Sequence, residues 1–264
     1  MAEVTAQTVE VQGLSAQVWR GGSGLNLVLL HGGIGDAELG WNPVWSRLAN
    51  TYNVIAPDLP GFGKSAPLPE VTYLAMVEWL RRLLDEQGVG RVAVVGNSFG
   101  GALARLFAAR FADRVSHLVL VDGGAIPKIP APARALTRLP LLDPMFNMMR
   151  QRSFSPAGLN RIFADPAHLT PDFIARCEQS SVSFVQAMRA AGQSPLPHDR
   201  TPQSPTLIVW GEEDRLTPTK GAGALQKGIP ASQVRMVKNA GHMPQVEQPE
   251  EFVSIVKGFV TPPC

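Results

Sequence analysis

The chain is poor in features that would mark several whole classes of protein. It has two cysteines, Cys177 and Cys264, in 264 residues. They offer neither a disulfide framework nor a metal-ligand spacing. No apolar run approaches the ~18 residues that would cross a bilayer, so no membrane association is expected. The start, Met1 to Gln7, is polar and has no basic or apolar leader region. That argues against a secretory signal and makes a cytoplasmic location the expectation. The net charge is only +2, and no Lys/Arg cluster is interleaved with aromatics, so nucleic acid is not an expected partner. Internal repeats and low-complexity tracts are absent. With 45% hydrophobic and 17% charged residues, the chain is long enough for one large α/β domain plus an insertion. Cys177 reads as a small packing residue in a helix, and Cys264 as part of a frayed end.

What is present alternates between two periodicities. Thr5 to Val11 and Leu14 to Arg20 flank Gly13 as an antiparallel hairpin. Leu25 to Leu30 is a continuous apolar run, too short for a helix and ended by His31-Gly32-Gly33, and reads as a buried strand. A short helix is predicted from Trp41 to Ala49 with Pro43 in its first turn. Tyr52 to Ala56 is a strand closed by the turn-rich Pro57 to Ser65. Val71 to Gln87 carries a helical apolar stripe stopped by Gly88. Strands follow at Val92 to Val95 and Leu118 to Val121. Alternation of this kind implies a parallel, doubly wound sheet whose ligand crevice lies at the carboxyl ends of the strands.

The pattern breaks from Ala125 to Pro205, where prolines cluster at both ends (Pro127, Pro130, Pro132; Pro195, Pro197, Pro202, Pro205). Helical pieces are predicted at Arg134 to Leu139, Met145 to Arg150, Ala157 to Phe163 and Pro171 to Ala191. The expected division is a core of residues 1–124 and 206–264 with a helical insertion of residues 125–205. After it come a strand at Thr206 to Trp210, ending in Gly211-Glu212-Glu213-Asp214, a helix at Thr219 to Lys227, and a last strand at Gln233 to Val237. The loop Asn239 to Pro244 and a helix from Pro249 to Phe259 close the chain.

The stretch that organises the rest is Gly96-Asn97-Ser98-Phe99-Gly100-Gly101, set between the Val92 to Val95 strand and a helix through Ala102 to Phe111. It is a G-x-S-x-G turn in the strand-to-helix context that pattern needs, which leaves the Ser98 hydroxyl exposed at the tip of the sheet.

With these residues in place, the chain resembles the α/β-hydrolase fold superfamily over nearly its whole length outside the insertion. The resemblance implies an α/β architecture with a mostly parallel, eight-stranded, doubly wound sheet and makes residues 125–205 a helical cap over an active site. It also implies Ser98 as nucleophile, Asp214 as acid and His242 as base, in the chain order this fold uses. Asp122, also at a strand end, stands as the substitute for Asp214.

The chemistry calls for these residue types. A serine hydroxyl needs an imidazole to take its proton during attack, and the acid holds the imidazole in the right tautomer. Charge developing on the substrate oxygen needs preorganised N–H donors. Phe99 is expected to supply one, and Gly33 or Ile34 the other, although the glycines of that turn also have a purely conformational reading. His117, His168 and His198 read as structural or exposed, and His31 as a structural hydrogen-bonding residue.

Two reactions remain open. Dehalogenases and epoxide hydrolases of this fold attack with an aspartate, so serine at position 98 implies acyl chemistry. Hydrolysis of a carboxylic ester or lactone is the first reading. The second is C–C cleavage of a vinylogous diketone. Asn97 before the serine, and Arg176 about where a carboxylate-binding arginine falls, resemble the meta-cleavage-product hydrolases. Met243, where that group has Trp, and the form of the glycine turn depart from it. Asn97, Arg176 and Met243 are therefore the substrate-binding candidates, with Arg176 reading equally as a polar face residue on a helix. Phe146, Met148, Met149, Phe154, Phe163, Phe173, Phe184 and Met188 offer the insertion an apolar lining, suited to a medium-sized apolar or aromatic substrate. A non-catalytic ligand-binding version of the fold is the remaining alternative. A small molecule is the expected partner, no cofactor or metal is implied, and homo-oligomerisation is left open.

Overall fold

The structure, a computed structural model, describes residues 2–125, 140–193 and 201–261. Eight strands form one sheet in the order β1-β2-β4-β3-β5-β6-β7-β8. They are β1 (Val4–Val11), β2 (Leu14–Gly21), β3 (Leu25–Leu30), β4 (Tyr52–Pro57), β5 (Val92–Asn97), β6 (Val115–Val121), β7 (Thr206–Gly211) and β8 (Gln233–Val237). Pairing is antiparallel for β1·β2 and β2·β4 and parallel from β4 through β8.

The central strands read as unbroken apolar runs because both of their faces are covered. Val28 and Leu30 of β3, Val94 of β5, Leu118 and Leu120 of β6, and Ile208 of β7 point into one core. Their alternates Leu27, Leu29, Val95, Val119, Val121, Leu207 and Val209 point into the other. The period of two in side-chain direction thus builds two cores from one set of strands. The first is roofed by α2 (Tyr73–Glu86), α3 (Phe99–Arg110) and α7 (Lys220–Gly228), the second by α1 (Ala37–Ala49) and α9 (Pro249–Phe259).

Between β6 and β7 the described chain carries α4 (Asp143–Ser153), α5 (Pro156–Leu159) and α6 (Pro171–Gln193), and Leu159, Ile162, Phe163, Phe173 and Cys177 of this stretch form a small core together with Met243. Cys177 is fully buried there, and burial pushes its thiol up to about 12. The helix expected at Arg134 to Leu139, together with His198 and Cys264, lies outside the described residues. One further turn of helix, α8 (Pro244–Glu247), precedes α9.

Of the element boundaries that differ from the sequence expectation, two bear on the site. α1 starts at Ala37, capped by the Asp36 carboxylate accepting from Leu39 N at 2.9 Å. Pro43 therefore sits inside the helix and leaves the Leu39 carbonyl without its intrahelical donor. The Ala157 to Phe163 piece is helical only to Leu159: Asn160 N, Arg161 N and Ile162 N still bond locally, but Ile162 O accepts from His242 N and Ala164 N donates to Glu247, which draws the chain out of the helix. Among the described residues no helix is long and apolar enough to cross a membrane.

Candidate active site

Ser98 occupies the turn between β5 and α3 with φ 53° and ψ −113°, a backbone conformation that non-glycine residues rarely adopt. The surroundings enforce it. Ser98 N donates to Val121 O at 2.8 Å. A Cβ on Gly100 would lie 2.4 Å from both the Leu30 and His31 carbonyl oxygens, and one on Gly123 would lie 2.4 Å from Ser98 Cα. Glycine at these two positions lets α3 and the chain after β6 close in on the serine from two sides.

Just past β7, Asp214 Oδ2 lies 2.8 Å from His242 Nδ1. Thr217 Oγ1 donates to the same Oδ2 at 2.5 Å and lies 3.1 Å from His242 Nδ1, while Leu216 N and Thr217 N donate to Oδ1 at 2.7 and 2.8 Å. Burial alone would raise the Asp214 carboxyl, but the His242 contact and the bonds from Thr217 outweigh it and hold the group below its ordinary value. With Nδ1 held by the carboxylate, Nε2 is the ring nitrogen left for the crevice, which both His242 and Ser98 line. No hydrogen bond joins Ser98 Oγ to Nε2 in the structure, and contacts of this kind commonly tighten only with substrate in place.

Asp122 is fully buried, with φ 45°, and its Oδ1 accepts from Gly211 N at 2.9 Å. A carboxylate oxygen of Asp122 comes within 4.8 Å of both Asp214 and a ring nitrogen of His242. These three are the cation-ligating types the site brings together. Asp122 Oδ1 is engaged by Gly211 N, and the Asp214 carboxylate by Leu216, Thr217 and His242, whereas Asp122 Oδ2 has no hydrogen-bond partner among the described residues. Burial, reinforced by the negative charge of Asp214, pushes the Asp122 carboxyl well above its ordinary range.

Gly33, Ile34 and Phe99 line the same crevice, and their backbone N–H groups have no acceptor among the described residues. Phe99 N belongs to the first turn of α3, where donors have no partner within the helix. His31 supports this turn. Its Nδ1 donates to Gly32 O at 2.7 Å and its Nε2 accepts from Leu59 N at 2.9 Å, which is the neutral tautomer. Burial, partly offset by Asp58, favours that neutral form by lowering the pKa. The crevice holds a cavity of about 220 Å³, closed over by Phe184 and Met188 of α6 and by Ile162.

Residues 27–255 match the alpha/beta hydrolase family. This chain belongs to the alpha/beta hydrolase family. The hydrolase is 32% identical over 262 residues to a 2-hydroxy-6-oxononadienedioate/2-hydroxy-6-oxononatrienedioate hydrolase of Pseudomonas putida, covering 90% of this chain and 89% of that one. Its fold is similar to that of a membrane phospholipase A, with a TM-score of 0.78 and 26% identity over 97% of this chain and 85% of that one. It is similar also to a thermophilic esterase of Thermogutta terrifontis, with a TM-score of 0.74 and 26% identity over 96% of each chain.

The remaining predicted site residues of the hydrolase divide. Met243 lines the crevice and packs into the small core beneath α4–α6. Asn97 also reaches it, but its Nδ2 donates to Val121 O at 3.1 Å and His242 O at 3.0 Å, so the amide is spent on holding the histidine loop. Arg176 is placed apart from the crevice. Its guanidinium donates to Asp36 Oδ1 at 2.6 Å and Glu38 Oε2 at 3.0 Å at the start of α1. Of the apolar residues in the insertion, Phe184 and Met188 reach the crevice, while Phe163 and Phe173 fill the small core. Sequence reasoning misses Thr217, Gly123 and Tyr73, the last of which also lines the crevice. Only Thr217 had a local signal, three residues beyond an aspartate that can accept from the backbone ahead of it.

Proposed function

We propose that this hydrolase cleaves a carboxylic ester or lactone of a medium-sized apolar or aromatic substrate through an acyl-enzyme on Ser98. Residues 125–205 act as its cap. The observation that carries this reading is the His242–Asp214 pair at 2.8 Å, facing a crevice it shares with a serine held in a strained turn. Ser98 Oγ attacks the carbonyl carbon as His242 Nε2 takes its proton, and Asp214 stabilises the resulting imidazolium. The N–H of Phe99, with that of Gly33 or Ile34, receives the negative oxygen. His242 then protonates the departing alcohol, and water releases the acyl group by the same steps.

C–C hydrolysis of a vinylogous diketone is the second reading, favoured by the Pseudomonas putida relative. Against it, Arg176 is engaged by Asp36 and Glu38, and among the described residues the crevice lining contains no lysine or arginine to meet a substrate carboxylate. The test is a panel of activated aryl and alkyl esters beside a dienol diketone, with Ser98→Ala as control. The ester reading expects turnover of aryl or mid-length esters well above the diketone and loss of that turnover in the variant. Preferential turnover of the diketone would replace it with the second reading.

A further inference from the structure

The peptide of His242 is held from two distant places, its N–H by Ile162 O and its carbonyl by Asn97 Nδ2, and one carboxylate secures the peptide N–H before it. Glu247 ends the single turn of α8, five residues after the histidine, and is buried. Its Oε2 accepts from Gly241 N at 2.5 Å, and its Oε1 accepts from Ala164 N at 2.7 Å and Asp165 N at 3.1 Å. One side chain therefore bridges the residue before His242 and the stretch leaving the small core between β6 and β7. Alongside it, His242 N donates to Ile162 O at 2.7 Å. The two segments meet so closely that a Cβ on Gly241 would sit 2.5 Å from Ile162 O.

Among the described residues no lysine or arginine pairs with Glu247, so its charge is met by backbone N–H groups, three charge-assisted bonds to groups that cannot turn away. A glutamate is required for this. A glutamine has one acceptor oxygen, and its NH₂ would have to face an N–H on one side or the other.

We infer that Glu247 is a positioning residue: it fixes the backbone beneath His242 and ties the placement of the 162–165 segment to that of the imidazole, so that the covering helices and the base move as one unit. The inference rests on the proposed role of His242 as the base. A displacement of the ring of about 1 Å is enough to cost up to ~10²-fold in rate.

The test compares Glu247→Gln and Glu247→Asp with the wild-type chain, using the best activated ester of the panel. Readouts are kcat and KM, the rate of fluorophosphonate labelling, thermal midpoint, and the low-field proton resonance of His242 Nδ1–H. The expected result for Glu247→Gln is a kcat lowered about ten-fold, by misplacement of the ring, with KM little changed, labelling slowed in proportion and the resonance shifted. Glu247→Asp, too short to reach both sides, should fall at least as far. A variant that melts earlier yet keeps wild-type kcat and an unmoved resonance would overturn the inference, since that is what a merely structural role gives. His242→Ala separates the two levels. If it is inactive while Glu247→Gln is normal, the clamp alone fails; if it retains full activity, the assignment of the base fails and the clamp with it.

Discussion

Asp122 and Asp214 stand just beyond the carboxyl ends of adjacent strands, and only Asp214 reaches His242, at 2.8 Å from Nδ1. Asp122 instead turns its Oδ1 to Gly211 N. Replacing the acid should leave the histidine in the wrong tautomer. Asp214→Asn is therefore expected to lower kcat by ~10³–10⁴-fold, while Asp122→Asn, whose oxygen can still accept from Gly211, should stay within a few-fold of wild type. Steady-state ester hydrolysis by both variants checks this; the reverse order would make Asp122 the working acid.

The same two carboxyls should act oppositely on stability. Asp122 has its pKa raised in the folded chain, so its contribution is complete below the ordinary carboxyl value of about 4 and is lost as pH rises through the raised value. Asp214 has its pKa lowered, so its contribution is present above the ordinary value and is lost only as pH falls through the depressed one. Asp122→Asn removes only the first. Its thermal midpoint should gain on that of wild type between pH 4 and pH 8, as read by calorimetry or circular dichroism. A gap that does not change with pH would show that Asp122 does not carry this burden.

Backbone strain at the nucleophile gives a separable signal. Ser98 at φ 53°, ψ −113° stores ~1–3 kcal/mol, and glycine releases it at an unfolded-state entropy cost of about 0.5–1 kcal/mol. Ser98→Gly should be inactive and yet more stable than wild type by about 1 kcal/mol, the difference of those two terms. Urea unfolding of the two proteins decides it, and a less stable glycine variant would mean the turn is not strained.

Phe184 sits directly over the glycine turn: a Cβ on Gly33 would lie 3.2 Å from its ring, and the ring also lines the cavity of about 220 Å³. Truncating it enlarges the space where the acyl group would lie. Phe184→Ala should shift kcat/KM across an acyl-length series toward longer or bulkier chains. An unchanged profile would place the acyl site elsewhere.

Much of this was legible in the sequence because the signals were local. Val92 to Val95 followed by Gly96, Ser98 and Gly100 specifies a buried strand, a sharp turn and a helix with little help from the rest of the chain. The continuous apolar runs announced strands covered on both faces. Expectation failed where distant residues decided the outcome. The Ala157 to Phe163 segment is helix-compatible, but its last peptide groups serve the histidine loop. Arg176 has the composition of a carboxylate-binding residue and the surroundings of an ion-pair partner, and only Asp36 and Glu38, far away along the chain, distinguish the two. Gly123 matters through its approach to Ser98, which no local pattern records.

Labelling with a fluorophosphonate probe, read by peptide mass spectrometry, tests the central claim most directly. The expected result is one adduct, on the peptide carrying Ser98, absent from Ser98→Ala and slowed by His242→Ala, with ester hydrolysis lost in step. An adduct on another residue, or undiminished hydrolysis by Ser98→Ala, would contradict it.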